Sequence, residues 1–134
     1  MDYSAETLFV ESYIKKDRQK RMLYELTTPK KRYEGLDRFC HNSSKLIDHN
    51  KVLLEGDDLE RQPEFFKFIK EHRENCLILS PDSFIDGLSM ALPLALKAAD
   101  ESFDAVIVLG DGYCLVYGEA EKGGREKYLM VRNE

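Results

Sequence analysis

The sequence predicts an α+β fold: a helical N-terminal region packed with a small mixed β-sheet of about four strands, ending in an antiparallel meander. Three observations carry this expectation. Apolar residues in the first part of the chain recur at spacings of three and four, the period of a helix. Four short, largely apolar runs at 76–79, 105–109, 114–117 and 127–131 have the length of strands. Glycine-rich turns separate the last three of those runs. At 134 residues the chain is expected to be a single domain, 1–134, with a helical part over 1–50 and a sheet part over 51–134.

A first helix is expected over residues 4–26, with Ser4 as N-cap. Its apolar residues lie at the two ends, around Phe9 and Tyr13 and around Met22 and Leu26, while residues 15–21 contain none. Continuing the stripe from Val10 and Ile14 lands on Arg18, which would then point towards the body. Thr28 followed by Pro29 reads as the start of a second helix, presenting Tyr33, Leu36, Phe39 and Cys40 on one face. Residues 51–61 read as a surface connection. Pro63 opens a helix carrying Phe65, Phe66, Phe68 and Ile69, closed by His72 and Arg73 at its negative end, with Asn75 suited to a left-handed cap.

The run 76–79 is expected to be a central strand and 105–109 the next, joined by a crossover that contains a turn at Asp86-Gly87 and a helix from Pro93 to about Glu101. If those two strands are parallel, the crossover is right-handed. Gly110-Asp111-Gly112 gives a tight hairpin to the third strand, and Gly123-Gly124 a longer loop to the fourth.

Charge is segregated. Lys15, Lys16, Arg18, Lys20, Arg21, Lys30, Lys31 and Arg32, set against Asp17 and Glu25, make residues 15–32 a block of +6 in a chain of net −5. Such a block is either a solvated face, whose long stems cover apolar surface, or a surface that meets an anionic partner. Lys30, Lys31 and Arg32 sit in a first helical turn, where the helix dipole disfavours cations by about 0.3–1 kcal/mol each. Residues that break a local rule are expected where function selects them. The two basic helices differ from a helix-turn-helix: the first is too long and the turn carries no glycine.

Other chemistry is sparse. Parallel strands would bring Asp82, Ser83, Asp86 and Asp111 to one sheet edge, a candidate for a divalent-metal or small-ligand site. Asp-Gly and Pro-Asp are also ordinary turn chemistry, and the spacing matches no calcium loop. The chain holds no Gly-x-Ser-x-Gly, no Gly-x-x-x-x-Gly-Lys and no His-Glu-x-x-His. Cys40 and His41 are adjacent, so their side chains diverge, and Cys40, His41 and His49 have no zinc spacing. Cys76 and Cys114 lie in apolar strands and read as small core residues.

No apolar run approaches the ~18 residues of a membrane span. Residues 1–6 lack the basic and apolar regions of a signal peptide, and the three cysteines form no Cys-x-x-Cys pair, so the expected compartment is the cytoplasm. The expected function is that of a small non-catalytic interaction or regulatory protein, without cofactor, binding another protein or a second copy of itself. The alternatives are nucleic-acid backbone binding through residues 15–32 and the metal or ligand site at Asp82, Asp86 and Asp111.

Overall fold

The structure, a computed structural model, describes residues 2–102, 104–121 and 124–132. Its architecture is α+β. Among the described residues six α-helices pack on a six-stranded sheet of order β1-β6-β5-β4-β2-β3. The strands are β1 (Val52–Glu55), β2 (Asn75–Leu79), β3 (Ser89–Ala91), β4 (Ala105–Leu109), β5 (Tyr113–Glu121) and β6 (Gly124–Val131). The helices are α1 (Ser4–Tyr13), α2 (Gln19–Leu26), α3 (Pro29–His41), α4 (Ser43–Leu46), α5 (Pro63–Glu71) and α6 (Leu92–Glu101). Among the described residues no helix is long and apolar enough to cross a membrane.

Alternation along the strands divides the core into two layers. Val106, Val108, Cys114, Val116 and Met130 face α1, α2 and α3, meeting Phe9, Tyr13, Met22, Leu26, Leu36 and Phe39. Ile107, Leu109, Leu115, Tyr117 and Leu129 face the other way, against Phe65 and Phe68 of α5 and Leu92, Ala95 and Ala99 of α6. All five residues of β4 are buried, which is why it reads as a continuous apolar run with no polar alternation.

The expected meander is present: β4, β5 and β6 are consecutive antiparallel neighbours. The positive φ of Gly112 (94°) and Gly124 (118°) lies where only glycine is unstrained, and each residue sits at one of the two connections.

Four expectations are corrected. Among the described residues the sheet has six strands and every pairing is antiparallel, so it is not mixed. Residues 52–55, expected in a surface connection, form β1, an edge strand paired with β6. Between 79 and 105 the chain first turns back as β3 beside β2, and α6 then carries it over to β4 on the other side of β2. Ser89, Met90 and Ala91 contain no β-branched or aromatic residue, so this edge strand leaves no propensity signal. Finally, Asn75 is the first residue of β2 rather than a left-handed cap; no described non-glycine residue has positive φ.

Candidate interaction surface

The basic block begins where α1 ends. Ile14 is extended (φ −98°, ψ 144°) and bridges Ile47. The amide of Lys15 donates to the Leu46 carbonyl at 2.9 Å, and that of Asp48 donates to the Tyr13 carbonyl at 2.8 Å. The chain thus leaves the helix to pair with the segment after α4. A 3-10 turn at Lys16–Arg18 follows, with the Gln19 side chain donating to the Ile14 carbonyl at 3.0 Å. The single helix expected over 4–26 is therefore two helices. The stripe through Ile14 does not continue to Arg18, whose side chain is 60% exposed.

α2 and α3 form a hairpin. Thr27 and Thr28 hydroxyls donate to the carbonyls of Leu23 (2.7 Å) and Tyr24 (2.6 Å), satisfying acceptors at the end of α2. Thr28 is the N-cap of α3 and Pro29 its first residue, as the sequence predicts. The helices approach at Gly35, where an added Cβ would stand 2.9 Å from the Glu25 Cβ. Glu25, nearly buried, takes both Nη groups of Arg38. Those hydrogen bonds, opposed by burial, hold its carboxyl below the usual carboxylate range.

Seven of the eight basic residues singled out from the sequence lie on the exposed side of this hairpin and its approach: Lys15, Lys16, Arg18, Lys20, Arg21, Lys30 and Lys31. Of these, Arg18 pairs only loosely with Asp17 at 4.0 Å, and Arg21 lies 3.6 Å from Glu25. Among the described residues the five lysines make no ion pair. The same two helices expose two tyrosines, Tyr24 on α2 (60% exposed) and Tyr33 on α3 (62% exposed).

Arg32 is placed differently. Its Nε and Nη2 donate to Asp86 at 2.8 and 3.0 Å, and its Nη1 donates to Glu6 at 2.6 Å and to the Leu26 carbonyl at 3.0 Å. Its side chain is 19% exposed, and Asp86 first, then Glu6, raise its pKa further above the usual range. Arg32 is thus a half-buried clamp between α1, α3 and the β2–β3 loop. This corrects the reading of the α3 face. The inward stripe runs through Arg32, Gly35, Leu36, Phe39 and Cys40, and Tyr33, one residue or about 100° further round, is turned outward.

The carboxylates expected together are apart. Because β2 and β4 are antiparallel, Leu79 pairs with Val106 and Cys76 with Leu109. Asp82 and Asp86 therefore follow β2 at one end of the sheet, and Asp111 follows β4 at the other. Asp86 is occupied by Arg32 and by the Ser80 amide at 3.1 Å, and Asp82 accepts from the Phe84 amide at 3.0 Å, so both are turn and clamp residues. Asp111 meets two groups that sequence spacing does not connect. It accepts from His72 Nδ1, and Glu74 is close enough that donor atoms of all three residues lie within 4.8 Å of one another.

All three cysteines are buried and free. Burial pushes the Cys76 thiol up to about 11 and raises Cys40 and Cys114 as well, which leaves little reactive thiolate at neutral pH. No family model, curated protein or solved structure matches the chain.

Proposed function

We propose that this protein is a non-catalytic binding module whose basic face, made by the 3-10 turn, α2 and the first turn of α3, takes single-stranded nucleic acid. The observation that carries the reading is that residues 15–33 expose seven cations and two tyrosine rings. Phosphates require positive charge, and unpaired bases stack on aromatic faces without a sequence code. The fold draws in Arg32 of the block and leaves the block's five lysines without ion pairs among the described residues. The acidic remainder of the chain, −11 outside residues 15–32, repels a polyanion at long range. Binding is therefore local to this face and falls steeply with salt.

Fluorescence anisotropy with short labelled oligonucleotides tests the proposal. Single strands should bind more tightly than a duplex of the same sequence. Replacing Tyr24 and Tyr33 together by Ala should weaken single-strand binding about tenfold or more, since stacking contributes about 1–3 kcal/mol per base. No binding at low salt, or equal affinity for both forms with the tyrosine variant unchanged, contradicts the proposal and points to an acidic protein or a second copy as occupant.

A further inference from the structure

We propose that His72, Glu74 and Asp111 form a binding site for a divalent transition-metal ion of the zinc type. The site shares no residue with the basic face.

The topology builds it. β2 and β4 are antiparallel neighbours with Cys76 opposite Leu109, so the segment entering β2 and the turn leaving β4 meet at one end of the sheet. His72 ends α5, Glu74 lies in the connection to β2, and Asp111 occupies the β4–β5 turn. That turn is held by the positive φ of Gly112 (94°) and by the Arg132 amide donating to the Gly112 carbonyl at 2.8 Å. Donor atoms from the three side chains already lie within 4.8 Å of one another.

A second feature orients the imidazole donor. The His72 imidazole is stacked on Phe68, with centroids 4.4 Å apart and planes 25° from parallel, and Tyr113 closes on it at 4.7 Å. Phe68 and Tyr113 also pack on each other, at 5.0 Å. Two aromatic walls therefore fix the ring plane before any ion arrives, which reduces the ordering cost of binding. The His72 side chain keeps 18% exposure and Asp111 31%, so an ion can reach them.

The donor set selects the ion. One imidazole nitrogen with two carboxylates balances a 2+ charge and suits zinc and its neighbours, whereas calcium and magnesium favour oxygen alone. Three protein ligands leave a fourth tetrahedral position for water. On binding, the His72–Asp111 hydrogen bond opens, the ring exchanges its Nδ1 proton for one on Nε2 through solvent and so stays neutral, and both donors move to metal bonds of about 2.0–2.2 Å.

The test uses the full chain. Zinc chloride should raise the thermal midpoint of the EDTA-treated protein, calcium and magnesium should not, and calorimetry should give a single ion per chain. His72→Gln should abolish the response, and His49→Gln should keep it. Glu74→Gln, on the exposed side of the site, should fold normally and weaken zinc at least tenfold, with a changed cobalt absorption spectrum. A zinc response equal in the parent and in both site variants, or none in the parent, overturns the proposal and leaves His72–Asp111 as a structural hydrogen bond.

Discussion

Replacing Arg32 by Met tests the division of the basic block into one structural cation and seven exposed ones. The substitution keeps much of the side-chain volume and removes four hydrogen bonds to Asp86, Glu6 and the Leu26 carbonyl. It also strands two carboxylates, of which Glu6 is only 7% exposed and already has one oxygen without a partner. Removing one member of a buried ion pair costs about 3–5 kcal/mol. Because Asp86 keeps 21% exposure, water screens part of the stranded charge and the lower end applies, about 3 kcal/mol. For a chain of this size that is roughly a 10 °C fall in the melting midpoint. Urea denaturation at neutral pH measures it. The triple variant with Glu6→Gln and Asp86→Asn should be more stable than Arg32→Met alone, since no unpaired charge is left inside. At a temperature where it stays folded, Arg32→Met should bind oligonucleotide about as well as the parent. A loss below about 1 kcal/mol, in the range of a surface pair, or a triple variant no better than the single, would show the cluster to be solvated.

Three further outcomes are expected. Gly35→Ala should destabilise by about 1–3 kcal/mol in the same assay, because a Cβ 2.9 Å from the Glu25 Cβ forces α2 and α3 apart; an unchanged midpoint would mean that the hairpin relaxes freely. Asp104 is 4% exposed, and burial first, then Asp37 and Glu119, push its carboxyl up to about 6 from 3.8. Its folded form binds the proton more tightly than its unfolded form, so its contribution falls as pH rises from about 4 to about 6 and is level above. The parent should lose on the order of 2 kcal/mol relative to Asp104→Asn across that window, and a pH-independent difference between the two would contradict this. The three buried thiols should resist an aromatic disulfide reagent in the native protein and react on urea unfolding; rapid native reaction would place a cysteine at the surface.

The fold was legible where one physical signal dominated. The apolar runs of β2 and β4 follow from burial on both faces, the hairpins from glycine at the turns, and the start of α3 from Thr28-Pro29. The break at Ile14 was not, because it depends on amides of residues 15 and 48 pairing with carbonyls of 46 and 13, partners more than thirty residues away in sequence. The short strand Ser89–Ala91 has no propensity of its own, and missing it left the relative direction of β2 and β4 open. That single topological point decides the fate of the three aspartates. Six of the basic residues, Lys15, Lys16, Lys20, Arg21, Lys30 and Lys31, are exposed because charge with no periodic apolar partner has nowhere else to go, and Arg18, expected towards the body, joins them because the helix breaks at Ile14. Arg32 was not separated from them, since its burial requires Glu6 and Asp86, which lie on other elements. Tyr33 reads as part of the apolar face of its helix from spacing alone, because aromatic character does not distinguish a buried ring from an exposed one. His72 and Glu74 are joined to Asp111 only by strand pairing, which no local spacing encodes.

The most direct test of the basic face is the salt dependence of single-strand binding, by anisotropy from about 50 to about 200 mM salt. It compares the parent with a variant carrying Ser at positions 20, 30 and 31. Each phosphate contact on a single strand contributes about 0.7 to the slope of log affinity against log salt. The account predicts steep binding by the parent and a slope shallower by about 2 in the triple variant, with unchanged thermal stability. Absence of binding, or parent and variant curves of equal slope, would contradict it.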